Sequence, residues 1–187
     1  MALEPVNISS YSAFKADVLG RGFNVDDIYG YQCVDMAKLL AGNAGRPAPY
    51  WLSQPDGYAR EGWTDATSRA YNASNYFTLV YNKSEVKQGD LVVLNATGSN
   101  PYGHIAFADS DWDANTTTAI LLGQNQVNPN PTTGHVNTLT EVNVTTFLGA
   151  FRFDAWQQPV PPTPSTRKTR FNWTLYARKL RYKRNNI

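Results

Sequence analysis

Lys87-Gln88-Gly89-Asp90-Leu91-Val92-Val93-Leu94, the loop Asn95 to Gly103, and His104-Ile105-Ala106-Phe107-Ala108 together decide the fold. Lys87 to Asp90 carries turn chemistry. Leu91 to Leu94 is apolar at every position, so the strand it forms is covered on both faces and lies inside a sheet. Asn95 to Gly103 is rich in turn residues, and His104 to Ala108 reads as a second strand. Outward from this pair, Tyr76 to Tyr81, Thr118 to Leu122, Val136 to Val144 and Ala150 to Phe153 read as further strands, with a Pro/Asn/Gly loop at Asn128 to Gly134. Toward the N-terminus the period becomes helical. Ser9 or Ser10 caps a helix running to about Leu19, with Phe14 and Val18 on its inner face and Gly20 and Gly22 ending it. A second helix opens near Cys33 and runs to about Ala44, with Val34, Ala37, Leu40 and Ala41 at helical spacing; Gly45 and Pro47 stop it. Residues 46–75 read as loops and short helical turns. Helices first and strands after predict an α+β domain, its N-terminal helices packed on an antiparallel sheet of six strands or a similar number.

The chain has 187 residues, enough for one domain with a real core and too few for two large ones. Its charge is divided unevenly. Residues 1–166 hold nine Lys and Arg against fifteen Asp and Glu, a net −6, whereas residues 167–187 hold eight basic residues and no acid. Gln157 to Thr166 contains four prolines, which makes a semi-rigid linker. The division expected is a catalytic domain over 1–156, a linker over 157–166 and a basic aromatic tail over 167–187. If Asn172 caps a helix in the tail, Trp173, Tyr176, Ala177 and Leu180 share one face among basic groups. Such a segment suits anionic surfaces; a solvating tail, or the start of a further binding domain, is the plainer alternative. No run of about 18 apolar residues predicts a transmembrane helix. Met1 to Pro5 lacks the basic start and apolar run of a secretory signal.

The single cysteine, Cys33, excludes an internal disulfide and a multi-cysteine zinc site. It sits where a loop becomes a helix, and the unpaired N–H groups of a helix start favour a thiolate there. A cysteine nucleophile needs a base. His104, at the mouth of a strand, can lean over a neighbouring helix terminus, whereas His135 reads as a solvated loop residue. A third group should orient the imidazole. Asn125, just past the strand that ends at Leu122, is placed for this, with Gln124 the competitor.

Gly30-Tyr31-Gln32-Cys33-Val34-Asp35, Gly89-Asp90-Leu91-Val92-Val93, Gly103-His104-Ile105-Ala106-Phe107 and Gln124-Asn125, in this order, closely resemble the CHAP domain (cysteine, histidine-dependent amidohydrolase/peptidase) of the bacteriophage endolysin type. The resemblance covers about residues 10–155. It implies a papain-like fold and a cysteine amidase or endopeptidase acting on peptidoglycan, with Cys33 as nucleophile, His104 as general base and Asn125 orienting it. Gln32, just before the nucleophile, either shares an oxyanion hole with the Cys33 N–H or packs the loop. Many members carry a glutamate two residues before the asparagine, and Gly123 stands there instead.

The loop before the nucleophile offers oxygens at alternate positions, a calcium pattern. The resemblance implies Ca²⁺ held by Asn24, Asp26, the carbonyls of Ile28 and Gly30, and Asp35, with Asn24 departing from the usual aspartate. The same residues also suit an Asx-rich turn that caps the helix. The partners expected are peptidoglycan and, through the tail, anionic wall polymers, with no specific nucleic acid. The chain is expected to be a monomer that is made in a host cytoplasm and reaches the wall after holin-assisted release or from outside. The alternatives are an inactive wall-binding module and a wall hydrolase carried on a phage tail.

Overall fold

A computed structural model of the chain describes residues 3–45, 58–74, 77–126, 130 and 132–157. The chain divides into two compact units, Met1–Gln157 and Gln158–Ile187. The second unit, with the linker from residue 158 and the basic tail, lies outside the described residues.

Helix α1 spans Tyr11–Val18, and its N-cap is Ser10, whose side chain accepts the Ala13 N–H at 3.1 Å. Helix α2 spans Cys33–Asn43 and buries Met36, Ala37, Leu39, Leu40 and Ala41. Two short helices follow, α3 at Glu61–Thr64 and α4 at Ala66–Ala73. The strands are β1 Phe77–Val80, β2 Leu91–Leu94, β3 His104–Ala108, β4 Thr118–Gly123, β5 Thr138–Asn143 and β6 Phe147–Phe153, and a last turn of helix, α5, is Asp154–Gln157. They form one six-stranded antiparallel sheet in the order β1-β6-β2-β3-β4-β5. The α+β architecture expected from the pattern is the one found.

β2 lies between β6 and β3 and is buried along its whole length, as its unbroken apolar run requires. Leu91 and Val93 face Phe14, Val18, Met36 and Leu40 of the two helices, together with Ile105 and Phe107 of β3. Val92 and Leu94 join Ala106, Ala108 and Leu121 on the opposite face, where Val86 and Trp112 from the connecting loops form the cover. The strand period of two thus splits one sheet between two cores. Buried Asp90, at the entry to β2, accepts Arg152 Nε and Nη2 at 2.9 and 2.8 Å and the Lys87 N–H at 2.8 Å, which locks β2 to β6.

Two boundaries differ from the reading of the sequence. The last strand begins at Phe147, because β6 follows β2 across an irregularity at Val93/Leu94 and pairs Leu94 with Phe147. Ala66–Ala73, where loops and short helical turns were expected, is a two-turn helix capped by Asp65; its few apolar residues gave little period from which to read its length.

Candidate active site

α2 packs on β3, and Cys33 is the first residue of α2. The backbone N–H groups of Ile105, Val34 and Cys33 itself favour the ionised form of its thiol. Ile105 follows His104 in β3, so the N-terminus of α2 lies near the start of the strand that His104 opens. His104 is buried, and Cys33 is half-buried.

The thiol does not behave as the helix terminus alone implies. Burial pushes the Cys33 thiol up to about 11. The Ile105, Val34 and Cys33 N–H groups pull the other way without overcoming it, and the Asp35 carboxylate adds to the rise. Burial likewise holds His104 down to about 4, opposed only by its hydrogen bond to Gln126. The resting pair is therefore a neutral thiol and a neutral imidazole.

The amide residues after β4 divide the work differently from the expected scheme. Asn125 has φ +54° and turns its side chain to the loops. Its Nδ2 donates to Gln32 Oε1 at 2.8 Å and to the Asn130 carbonyl at 3.0 Å, while its Oδ1 accepts the Asn130 N–H at 2.8 Å. Gln124, fully buried, accepts the Phe23 N–H and donates to the carbonyls of Phe23 and Gln32. Both residues hold the segment that leads into Cys33. The side chain on the imidazole is Gln126, whose Oε1 lies 3.4 Å from His104 Nε2. Nothing in the motif pointed to Gln126; only the reversal of the chain at Asn125 returns it to the strand.

Gln32, a candidate for the oxyanion hole, is engaged in the same latch. Its Nε2 donates to the carbonyls of Tyr29 (2.5 Å) and Asn130 (3.3 Å), and its Oε1 takes the Asn125 amide. Tyr31 bridges to Gly134, and the Tyr31 N–H donates to the Thr133 carbonyl at 2.9 Å. Gly134 has φ +62°, and a Cβ there would overlap the Tyr31 carbonyl, so only glycine lets the two loops approach this closely. His135 is exposed, and its carbonyl accepts the Asn125 N–H, in keeping with a loop residue.

The expected calcium loop contains its donors in order. Asn24 Oδ1 is buried with no hydrogen-bond partner among the described residues. Burial, and then the neighbouring Asp26 carboxylate, push Asp35 up to about 7. Both features signal missing positive charge, and in donor chemistry the set fits a hard cation. The charge is met in part by Lys38, on α2, whose ammonium is buried and lies 2.5 Å from Asp26 Oδ2. Asp35 meanwhile accepts the N–H groups of Val25 and Gln32, each at 3.0 Å, and caps α2. No group of three or more His, Cys, Asp and Glu residues gathers for a metal among the described residues. A divalent ion would need Lys38 to leave Asp26. Sequence reasoning overlooked Lys38; a lone lysine in an apolar stretch of helix was the available signal.

Comparison with known proteins bears on the family and the fold. Residues 22–125, over half of the chain, match the family described as the CHAP domain. A D-alanyl-L-alanine endopeptidase of Streptococcus phage B30 is 30% identical over 165 residues, which cover 85% of this chain and 33% of that protein. The chain thus spans about a third of the length of this relative. The crystal structure of the wild-type endolysin LysIME-EF1 shares the fold, with a TM-score of 0.55 and 22% identity over 79% of this chain and 64% of that one. With the match running from the loop ahead of Cys33 through His104 to Asn125, the chain belongs to the CHAP domain family.

Proposed function

We propose that this domain hydrolyses an amide bond in the peptide part of peptidoglycan, with Cys33 as nucleophile and His104 as general base. The observation that carries the proposal is the Cys33 sulfur at the N-terminus of α2, held against the backbone beside His104 in a CHAP domain. The name of the phage B30 relative supports a peptide bond as the target; an N-acetylmuramoyl-L-alanine amidase is the other activity the fold accommodates.

The reaction starts from the neutral pair. Sγ bonds to the substrate carbonyl carbon as its proton passes to His104. The C–N bond breaks, and His104 returns the proton to the leaving amine. Water then attacks the thioester, giving its proton to His104, and the S–C bond breaks to release the carboxylic acid and restore the thiol. The oxyanion has the Cys33 N–H available, since the first N–H groups of a helix lack intrahelical partners. Gln32 adds a second donor once it releases the Tyr29 and Asn130 carbonyls.

Calcium at the loop belongs to the proposal on one condition. The ion and the Lys38 ammonium compete for Asp26, so binding through Asn24, Asp26, Ile28, Gly30 and Asp35 requires Lys38 to swing away.

Digestion of purified peptidoglycan, with mass spectrometry of the fragments, tests the activity and names the bond. Wild type should release fragments with new peptide termini, and Cys33→Ala should release none while keeping the fold. Release by the alanine variant would overturn the cysteine mechanism, and an inactive wild type that still binds the wall would leave a binding module.

A further inference from the structure

An imidazole that serves a thiol with one ring nitrogen needs the other fixed. The acid that the resemblance leads one to expect is replaced by Gly123, yet the space beside Gly123 is filled. A Cβ built on Gly123 would stand 3.2 Å from Gln126 Cδ, 3.4 Å from Gln126 Oε1 and 2.9 Å from Ala106 Cβ. The chain reverses through Gln124 and Asn125, and the side chain of Gln126 folds back over the end of β4 into the volume that a side chain at 123 would take.

The amide of Gln126 can stand only one way round. Its Nε2 donates to three backbone carbonyls, Leu121 at 3.1 Å, Gly123 at 3.2 Å and Thr138 at 2.9 Å. Carbonyl oxygens accept and never donate, so the NH₂ must face them and Oε1 must face His104 Nε2. Oε1 also only accepts. His104 Nε2 therefore carries the hydrogen, and in the neutral ring Nδ1 keeps its lone pair.

The geometry points to Gln126 as the positioning residue of His104: it holds the Nε2–H tautomer and leaves Nδ1 as the base for Cys33, in place of the side chain that Gly123 lacks. This rests on the Cys33–His104 reading above. The residue type follows from the pocket. A glutamate at 126 would place an ionised oxygen against three carbonyls with no donor between them, whereas an amide turns its two N–H bonds toward them and still offers an acceptor to the ring. The partner of His104 is consequently neutral, in keeping with an imidazole that burial keeps uncharged.

The test combines ¹⁵N NMR of histidine-labelled protein with turnover of soluble peptidoglycan fragments, using His135→Ala to assign the two ring systems. Wild type near pH 7 should show His104 with Nε2 protonated and Nδ1 bare. Gln126→Met, which fills the same volume without the acceptor, should lose that tautomer preference. Its kcat should fall about 100-fold, the lower end of what positioned acid–base catalysis supplies, with KM within about twofold. A wild-type ring protonated on Nδ1 would overturn the assignment without reference to any variant. Full turnover by Gln126→Met would also overturn it, provided Cys33→Ala, run alongside, is inactive; activity in Cys33→Ala would instead bring down the reading of the site on which this rests.

Discussion

Titration of Cys33 separates the two forces that meet at the start of α2. The helix terminus and the nearby backbone N–H groups argue for a thiolate; burial argues for a thiol and holds its pKa up at about 11, while His104 is held down at about 4. Moving the proton from Cys33 to His104 in the resting site is then uphill, because burial holds the thiol above neutrality and the imidazole below it. The assay is the difference in absorbance near 240 nm between wild type and Cys33→Ala, followed from about pH 5 to 11, with alkylation by iodoacetamide in parallel; the thiolate is the absorbing and reacting form. The sign is set by the raised pKa: thiolate is absent below neutrality and appears as pH climbs toward about 11. Alkylation should accelerate about tenfold per pH unit through the neutral range, without a plateau. A thiolate band, or a flat alkylation rate between about pH 5 and 8, would show a resting ion pair and refute the claim that burial outweighs the helix terminus.

Two further outcomes test the loops around the nucleophile. Lys38→Met removes the ammonium from Asp26 and should tighten calcium binding at least about tenfold by calorimetry, because a buried carboxylate left unpaired seeks another cation; equal affinity in wild type and variant would dismiss the competition. Gly134→Ala forces a side chain into a left-handed backbone against the Tyr31 carbonyl. It should cost about 1–3 kcal/mol, lower the melting temperature by several degrees and reduce wall hydrolysis more than stability, so unchanged hydrolysis would show that the loop contact does not position Cys33.

Much of the fold could be read from local pattern. The all-apolar Leu91–Leu94 had to be central, and it is. Ser9 or Ser10 was placed to cap the first helix, and Ser10 does. The places of Cys33 at the start of α2 and of His104 at the start of β3 were legible because local sequence marks both element edges. What escaped depends on contacts that only the folded chain makes. The role of Gln126 depends on the backbone reversal at Asn125, whose positive φ carries one side chain toward the loops and the next back to the strand. Lys38 stands out as a lone lysine in an apolar stretch of helix, but its partner, Asp26, is set only when the loop folds over it. The protonation state of Cys33 depends on how deeply its sulfur is covered, which no spacing reveals.

The latch around the nucleophile also sets a timetable. Cys33 belongs to the first part of the domain, but the amides that hold its approach, Gln124 and Asn125, and the glycine that seats Tyr31, Gly134, come about a hundred residues later. During synthesis the thiol emerges early and waits through most of the sheet for its surroundings to arrive. Contacts so distant along the chain close late in folding. A truncated or half-made chain therefore carries the nucleophile without the machinery to use it, and hydrolytic competence marks a domain whose two ends have already met.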